Sequence, residues 1–206
     1  MRANPAFLVR GLGAVVMLAS FTLPVRAAPP AFADEFNAAT LGPAWRGRQG
    51  RWTVTGGVAA GRKDPASIHP AKLDLLRPQR DGVLEFSFKT DRPGGVDVYL
   101  NRGDIRVAVV QLRAEGLAFA TYPKTKAVPS EPTYRARSER GLVPDTWHTV
   151  RIERQGGAVR IHTGTGATLE IMESGLEDEA TTWMFNLRGP PEMVFLLDNV
   201  RATPAP

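Results

Sequence analysis

The sequence predicts an all-β domain, built as an antiparallel sandwich or barrel. Hydrophobic residues alternate with polar ones over short segments, Gly and Pro separate those segments, and no stretch keeps a helical period over three turns. Alternation puts one side of a segment in a core and the other towards solvent, which is typical of a half-buried strand. About a dozen short strands with closely spaced turns favour an antiparallel all-β architecture.

The predicted strands follow one another with few long gaps. In the clearest of them, Val83–Lys89, alternate residues Leu84, Phe86 and Phe88 share one face. The others are predicted at Arg51–Thr55, Val58–Arg62, Ala71–Leu76, Val96–Leu100, Ile105–Leu112, Leu117–Thr121, Trp147–Glu153, Val159–His162, Thr168–Met172, Thr182–Arg188 and Met193–Ala202. Between two of them, Tyr122–Pro144 contains four prolines and is predicted to be a long irregular loop, of the length that often carries function.

Residues 1–27 have the features of a secretory signal peptide. Arg2 and Arg10 make its start positive, Gly11–Val25 is apolar, and Val25 and Ala27 suit cleavage after residue 27. The apolar run of about 15 residues is shorter than the ~20 that span a membrane. We therefore expect residues 28–206 to be a single secreted or periplasmic domain without a membrane partner. An uncleaved anchor is the alternative.

Charge and cysteine content exclude several classes of function. The whole chain has a net charge of +5, but the predicted leader contains three arginines and no acid, which leaves +2 on the expected domain. So small a charge is not typical of a nucleic-acid-binding protein. The sequence contains no Cys, which excludes disulfides, thiol catalysis and Cys-ligated metal sites.

Five segments, taken in order, resemble a known series of motifs. They are Phe32–Phe36 (FADEF), Trp45, Gly50–Gly61 (GRWTVTGGVAAG), Trp147–Glu153 (WHTVRIE) and Phe195–Arg201 (FLLDNVR). The series resembles the laminin-G-like, concanavalin A-like jelly rolls of exported bacterial proteins, often labelled family 16 glycoside hydrolase-like or 3-keto-disaccharide hydrolase-like. The resemblance covers nearly all of the chain after the leader. It implies two curved antiparallel sheets, with any ligand on the concave face or in the rim loops, and does not imply an activity.

The sequence departs from these families where catalysis would need it. Family 16 glycosidases carry E-x-D-x-E or E-x-D-x-x-E on one strand, whereas Glu85–Lys89 (EFSFK) holds one acid. A retaining mechanism needs two carboxyl groups about 5–5.5 Å apart. The Asn-Ser-Gly and Gln-x-His-Gly segments of the 3-keto-disaccharide hydrolases are also missing. The sequence argues against family 16 chemistry and leaves open whether the protein is an enzyme.

Asp34, Glu35 and Asp198 are the candidate ligands of a structural Ca²⁺, although no cofactor is expected to be required. The first and last strands of an antiparallel jelly roll often lie side by side, which would bring these carboxylates together. Turn carbonyls would complete the ~6–8 oxygen ligands that Ca²⁺ takes. The resemblance adds that many such sandwiches keep a calcium at this place. Alternatively, Asp198 binds backbone amides or an arginine.

The polar side of two predicted strands offers a candidate carbohydrate site. Asp97, Tyr99 and Asn101 alternate along one strand, and Asn186 and Arg188 along another. A sugar needs an aromatic platform for its apolar face and a few fixed polar groups for its hydroxyls. These five residues are therefore predicted to bind the ligand. The alternative is an ordinary solvated sheet face.

Two residues are candidates for catalysis. His69 stands with Lys72 at the start of a predicted strand, where either could face a cleft, and Glu85 lies in the strand noted above. Either His69 or Glu85 could act as a base. A turn histidine without a chemical role is the alternative for His69.

These observations predict an exported carbohydrate-binding jelly roll that performs no chemistry, with a poly- or oligosaccharide as its partner and no nucleic acid. One alternative is a glycoside-active enzyme. Another is an extracytoplasmic protein-interaction module that uses the 122–144 loop. Basic and aromatic residues alternate in that loop, and on an exported protein they favour an acidic glycan or solvent over nucleic acid.

Overall fold

The structure is a computed structural model that describes residues 31–123, 131–177 and 181–205. The predicted signal peptide lies outside these residues. Within the described ranges there is no helix with the length and apolar character needed to cross a membrane.

The described residues form fifteen strands in chain order. They are β1 (Phe32–Asp34), β2 (Trp45–Gln49), β3 (Arg51–Thr55), β4 (Val58–Arg62), β5 (Lys72–Gln79), β6 (Gly82–Thr90), β7 (Gly95–Arg102), β8 (Ile105–Arg113), β9 (Gly116–Thr121), β10 (Thr133–Ser138), β11 (His148–Gln155), β12 (Ala158–Thr163), β13 (Thr168–Met172), β14 (Thr181–Arg188) and β15 (Val194–Pro204).

The strands build two antiparallel sheets. The eight-stranded sheet has the order β13-β12-β11-β6-β15-β4-β3, with β1 paired to β15, and the seven-stranded sheet has the order β10-β9-β8-β7-β14-β5-β2. Neighbours in space are often distant in sequence, as with β7 and β14. The predicted two-sheet antiparallel jelly-roll sandwich is confirmed.

The core lies between the sheets and follows from the alternation of hydrophobic residues. Phe86 and Phe88 of the eight-stranded sheet and Phe185 of the seven-stranded sheet are each at most 1% exposed. The rings of Phe86 and Phe185 meet edge to face with their centroids 5.1 Å apart, so they join the two sheets. Burial of such rings dominates the energetics of a core of this kind.

Three strands were not predicted. The short β1 pairs with β15, β2 forms an edge of the seven-stranded sheet, and β10 pairs with β9. The prediction of an irregular loop over Tyr122–Pro144 was therefore wrong for residues 133–138. Each of these strands lies at an edge and lacks a clear hydrophobic alternation, because an edge strand needs fewer buried side chains.

Candidate ligand-binding site

The side of each sheet that faces away from the core is called here its outer face. The outer faces of the two sheets differ in how exposed their polar side chains are. On the eight-stranded sheet this face is partly exposed and polar, with Arg151 bound to both Glu85 and Glu153 at 2.5 Å. On the seven-stranded sheet, Asp97 and Asn186 point away from the core but are only 0% and 2% exposed. An ordinary solvated face would leave such side chains in water, and the outer face of the seven-stranded sheet does not.

Strand pairing brings the five predicted ligand-binding residues onto this one face. In the register between β14 and β7, Asn186 lies opposite Asp97, and Arg188 lies opposite Gly95. Asn101 follows on β7, opposite Thr182. The alternation of apolar and polar residues in the sequence was sufficient to identify this group, although it gave no information on which strands are neighbours.

Asp97 is the centre of a buried ionic network. Its carboxylate accepts hydrogen bonds from Arg188 Nε at 2.6 Å and from Arg113 Nη2 at 2.8 Å. Arg188 Nη2 also donates to the Tyr99 hydroxyl at 3.1 Å. Burial opposes the charge on Arg188, but Asp97 outweighs that effect and raises the pKa of the guanidinium. Asp97 thus fixes the direction of Arg188, whose side chain stays 43% exposed and available to a ligand.

Tyr99 does not offer the open aromatic platform that the sequence suggested. It is 1% exposed and packs with Val109, Ala120 and Met184 in a small apolar cluster on the outer face. The guanidinium carbon of Arg106 lies 4.8 Å from the centroid of its ring. Tyr99 therefore contacts Arg106 and Arg188 and helps to position them. Its ring is too buried to stack on a sugar.

Tyr122 packs against the same cluster and is less deeply buried. Its ring centroid lies 6.1 Å from that of Tyr99, and Arg106 lies 5.9 Å from its ring centre. Burial, followed by the effect of Tyr99, raises the pKa of the Tyr122 phenol, so the group is neutral at physiological pH. A neutral phenol beside a guanidinium can donate a hydrogen bond or contact an apolar sugar face.

A pocket of about 490 Å³ opens beside this cluster. We call it the basic pocket; it is lined by Arg48, Gln49, Lys72, Asn101, Gly103, Asp104, Arg106 and Met184. Asn101, one of the five predicted residues, is thus part of its wall. Three cations face one carboxylate in this lining, so the pocket carries an excess of positive charge.

Irregular pairing places two of these cations. The register between β2 and β5 shifts between Gly47 and Gln49, which leaves Arg48 as the extra residue of a bulge. The register between β7 and β8 shifts so that Asn101 faces Arg106 while Leu100 faces Ala108. Bulges redirect side chains and are common beside functional sites. Simple alternation would have put Arg106 on the core side with Ala108, which is why the sequence analysis missed it.

A second depression, of about 360 Å³, is lined by residues of β8, β9 and β10 and of the turns beside them. Its lining includes Gln111 and Arg113 of β8, Ala118 of β9 and Tyr134 and Arg137 of β10. Tyr134 is exposed and Arg137 stacks on its ring at 3.9 Å from the centroid. This depression and the basic pocket are both lined mainly by polar and charged side chains of the seven-stranded sheet and its turns.

Replacing Lys72 by methionine should raise the melting temperature at pH 7. Burial, then Arg106, Arg48 and Arg188, lower the pKa of Lys72, and Asp74 opposes them only in part. Because the unfolded chain holds the proton up to the ordinary value of 10.5, charged Lys72 opposes folding below its folded-state pKa. This penalty fades as the pH rises through that pKa towards 10.5. Thermal melts of the two proteins from pH 7 to 11 would measure it, and a less stable variant at pH 7 would contradict it.

The two candidate catalytic residues lie elsewhere. Glu85 is on the outer face of the eight-stranded sheet and is bound to Arg151. His69 is exposed in the segment between β4 and β5, where its backbone N–H donates to Ser67 Oγ at 3.0 Å. The structure brings neither residue together with Asp97 and Arg188. Lys72, the first residue of β5, does line the basic pocket.

The candidate calcium ligands are close in the fold, and each carboxylate has its own partner. Asp34 lies opposite Val200, so the first and last strands do pair. Asp34 accepts hydrogen bonds from Trp45 Nε1 at 2.8 Å and from the Phe36 backbone, which is the role of a structural carboxylate.

The other two carboxylates also have partners of their own. Glu35 lies 3.7 Å from Arg201, and Asp198 binds the Asn199 backbone and side-chain amides. Among the described residues no group of three or more His, Cys, Asp or Glu side chains is placed to hold a metal. Calcium binding stays a prediction.

No protein-family profile matches the sequence, and no curated protein matches it. The fold, in contrast, is similar to solved structures. A β-glucanase of Bacillus licheniformis has a TM-score of 0.66 at 12% identity, with 86% of this chain and 99% of that one covered. The carbohydrate-binding module CBM66 of Bacillus subtilis has a TM-score of 0.59 at 13% identity, with 78% and 96% covered.

A non-specific endo-β-1,3(4)-glucanase of family GH16 is a third similar structure. Its TM-score is 0.58 at 13% identity, and the alignment covers 83% of this chain and 89% of that one. Identities this low show a shared fold and no more. The chain therefore has the concanavalin A-like jelly-roll fold, which it shares with carbohydrate-binding modules and glucanases.

Proposed function

We propose that the protein is a carbohydrate-binding domain and that its ligand lies on the outer face of the seven-stranded sheet. One observation carries the proposal. This face holds a buried layer of polar groups, and two depressions with polar linings, the basic pocket and the second depression, lie on the same sheet. A few fixed polar groups beside apolar side chains are what a sugar site requires.

Similar structures support a carbohydrate as the ligand. They include a carbohydrate-binding module, and a form of the family GH16 glucanase co-crystallised with 1,3-β-D-cellotriosyl-glucose. The domain, in our proposal, acts after export, in agreement with the predicted signal peptide.

Binding without hydrolysis suits the carboxylates of this face. A retaining glycosidase needs two carboxyl groups about 5–5.5 Å apart, one of them able to act as an acid. The two buried carboxylates here are both held by arginines: Asp97 by Arg113 and Arg188, and Asp74 by Arg46 at 2.7 Å. They serve to orient cations.

Replacing Arg188 by alanine should weaken polysaccharide binding by about tenfold or more, the loss expected for one charge-assisted hydrogen bond. The fold should survive, because Asp97 keeps Arg113 as a partner. Affinity electrophoresis of the purified protein against a polysaccharide panel, with and without EDTA, would measure retardation. Loss of retardation in EDTA would also indicate that a metal supports the site.

Arg151→Ala is the matched control, since Arg151 also binds carboxylates but lies on the outer face of the other sheet. It should leave retardation unchanged. Equal loss in both variants, or none in Arg188→Ala, would show that the ligand does not bind this face. If no polysaccharide retards the protein, the proposed function is wrong.

A further inference from the structure

We propose that the ligand is an acidic polysaccharide and that the basic pocket binds its carboxylate or sulfate group through Lys72, Arg106 and Arg48. This ligand class rests on the proposed function, since it assumes that the same face binds carbohydrate. The small net charge of +2 expected for residues 28–206 does not predict an acidic ligand. The positive charge is local, and the fold concentrates it by joining three distant parts of the sequence.

The cations of the pocket are poorly compensated by the protein itself. Among the described residues, neither Lys72 nor Arg106 takes part in an ion pair. Arg48 has two long ion-pair contacts within the described part of the chain, 3.8 Å to Asp74 and 3.5 Å to Asp104. The Asp104 side chain is 87% exposed, so water screens its charge. An anion entering the pocket would find cations that are not already neutralised.

Arg106 is held in a position that suits a carboxylate or sulfate. Its guanidinium lies over the Tyr99 ring, at 4.8 Å, with Tyr122 at its side. A stacked guanidinium keeps its N–H groups in its own plane, where they form the two parallel hydrogen bonds that planar anions accept. Because the ring already restricts the side chain, less conformational entropy is lost on binding.

The positive charge of Lys72 does not stabilise the fold. It is partly buried, and the nearby Arg106, Arg48 and Arg188 disfavour its protonated form. A cation kept in such a place at a cost to stability is typical of a binding site. A bound anion would remove the repulsion between these cations and stabilise all of them together.

A neutral sugar would be a poor ligand for this pocket. It would take water from Lys72 and Arg106 without supplying an opposite charge, and desolvation of an uncompensated charge is unfavourable.

Matched polymers that differ only in charge test the proposal. The purified protein would be run in affinity gels containing polygalacturonate or its methyl-esterified form, and dextran sulfate or dextran. The first pair tests a carboxylate and the second a sulfate. Polyglutamate tests attraction to any polyanion. We expect retardation by at least one acidic polysaccharide, a loss of about tenfold or more in affinity for its neutral counterpart, and weaker binding at high salt.

Lys72→Gln should reduce affinity for the acidic polymer by about tenfold, for one lost charge-assisted contact. Lys89→Gln is the matched control, because Lys89 is a partly exposed lysine on the outer face of the other sheet, paired with Asp145. It should have no effect. Thermal melts would show that both variants are folded.

The possible failures are distinguishable. Binding to a neutral polymer with no preference for its charged form would overturn the acidic ligand and leave the proposed carbohydrate function standing. Polyglutamate that binds as tightly as the acidic polysaccharide, or Lys72→Gln and Lys89→Gln with equal effects, would also overturn the acidic ligand. Retardation by none of the polymers would reject the carbohydrate function itself.

Discussion

Replacing Asp97 by alanine should lower the free energy of unfolding by about 3 kcal/mol and abolish ligand binding. The carboxylate is 0% exposed and binds both Arg113 and Arg188. Without it, two guanidiniums that are partly withdrawn from water would face each other with no anion between them. Such an unpaired arrangement costs more than the ion pair itself contributes, because the desolvation is not recovered. Urea unfolding followed by tryptophan fluorescence would measure the loss.

Asp104→Ala is the control for the loss of a carboxylate on the same face. Asp104 is 87% exposed and lies 3.5 Å from Arg48, so its removal should cost less than about 1 kcal/mol. Asp97→Asn should fall between the two, since an amide oxygen still accepts a hydrogen bond. Equal destabilisation by Asp97→Ala and Asp104→Ala would contradict the view that the Asp97 network is desolvated.

Alternation along single strands predicted more of this site than the family resemblance did. Asp97, Tyr99 and Asn101 were assigned to one face because Val96, Val98 and Leu100 alternate with them, and the structure has the same arrangement. The sequence could not show that this outer face is itself buried. A face opposite the core is normally exposed, and burial on both sides of β7 depends on side chains from other strands.

Arg48 and Arg106 show a second limit of prediction from the sequence. Each stands at a shift of register, where the period of two is interrupted. A bulge depends on how two strands fit each other, so one strand read by itself does not reveal it. The wrong prediction of an irregular 133–138 and the omission of Arg106 from the candidate site both concern strand pairing and not composition.

Trp147 illustrates the same point for an aromatic residue. The sequence predicts a strand that begins at this residue, Trp147–Glu153. In the structure β11 begins at His148, and Trp147 is 44% exposed. His148 instead is buried, with its Nε2 2.8 Å from the Val143 carbonyl oxygen. The alternation was correct for His148 and Val150, and only the start of the strand was misplaced.

Gly95→Ala should destabilise the protein by about 3 kcal/mol or more, the upper range for an overpacked core. A Cβ at this position would lie 1.9 Å from the Leu112 carbonyl oxygen and 2.9 Å from Arg113 Cα, both on the backbone of β8. Backbone in a central sheet cannot move aside as a side-chain tip can. Strands β7 and β8 would have to separate where Gly95 pairs with both Arg113 and Arg188. The loss of stability should therefore come with a loss of ligand binding.

Gly164→Ala is the matched control, because its added Cβ would make ordinary contacts of 3.8 Å with the Thr149 backbone. Neither glycine needs a positive φ, so steric overlap is the difference between them. Denaturant unfolding and affinity electrophoresis of both variants would separate the two effects. If Gly95→Ala were as stable as Gly164→Ala, β7 and β8 would not be packed as closely as the structure has them, and the register that aligns Asp97 with its two arginines would be wrong.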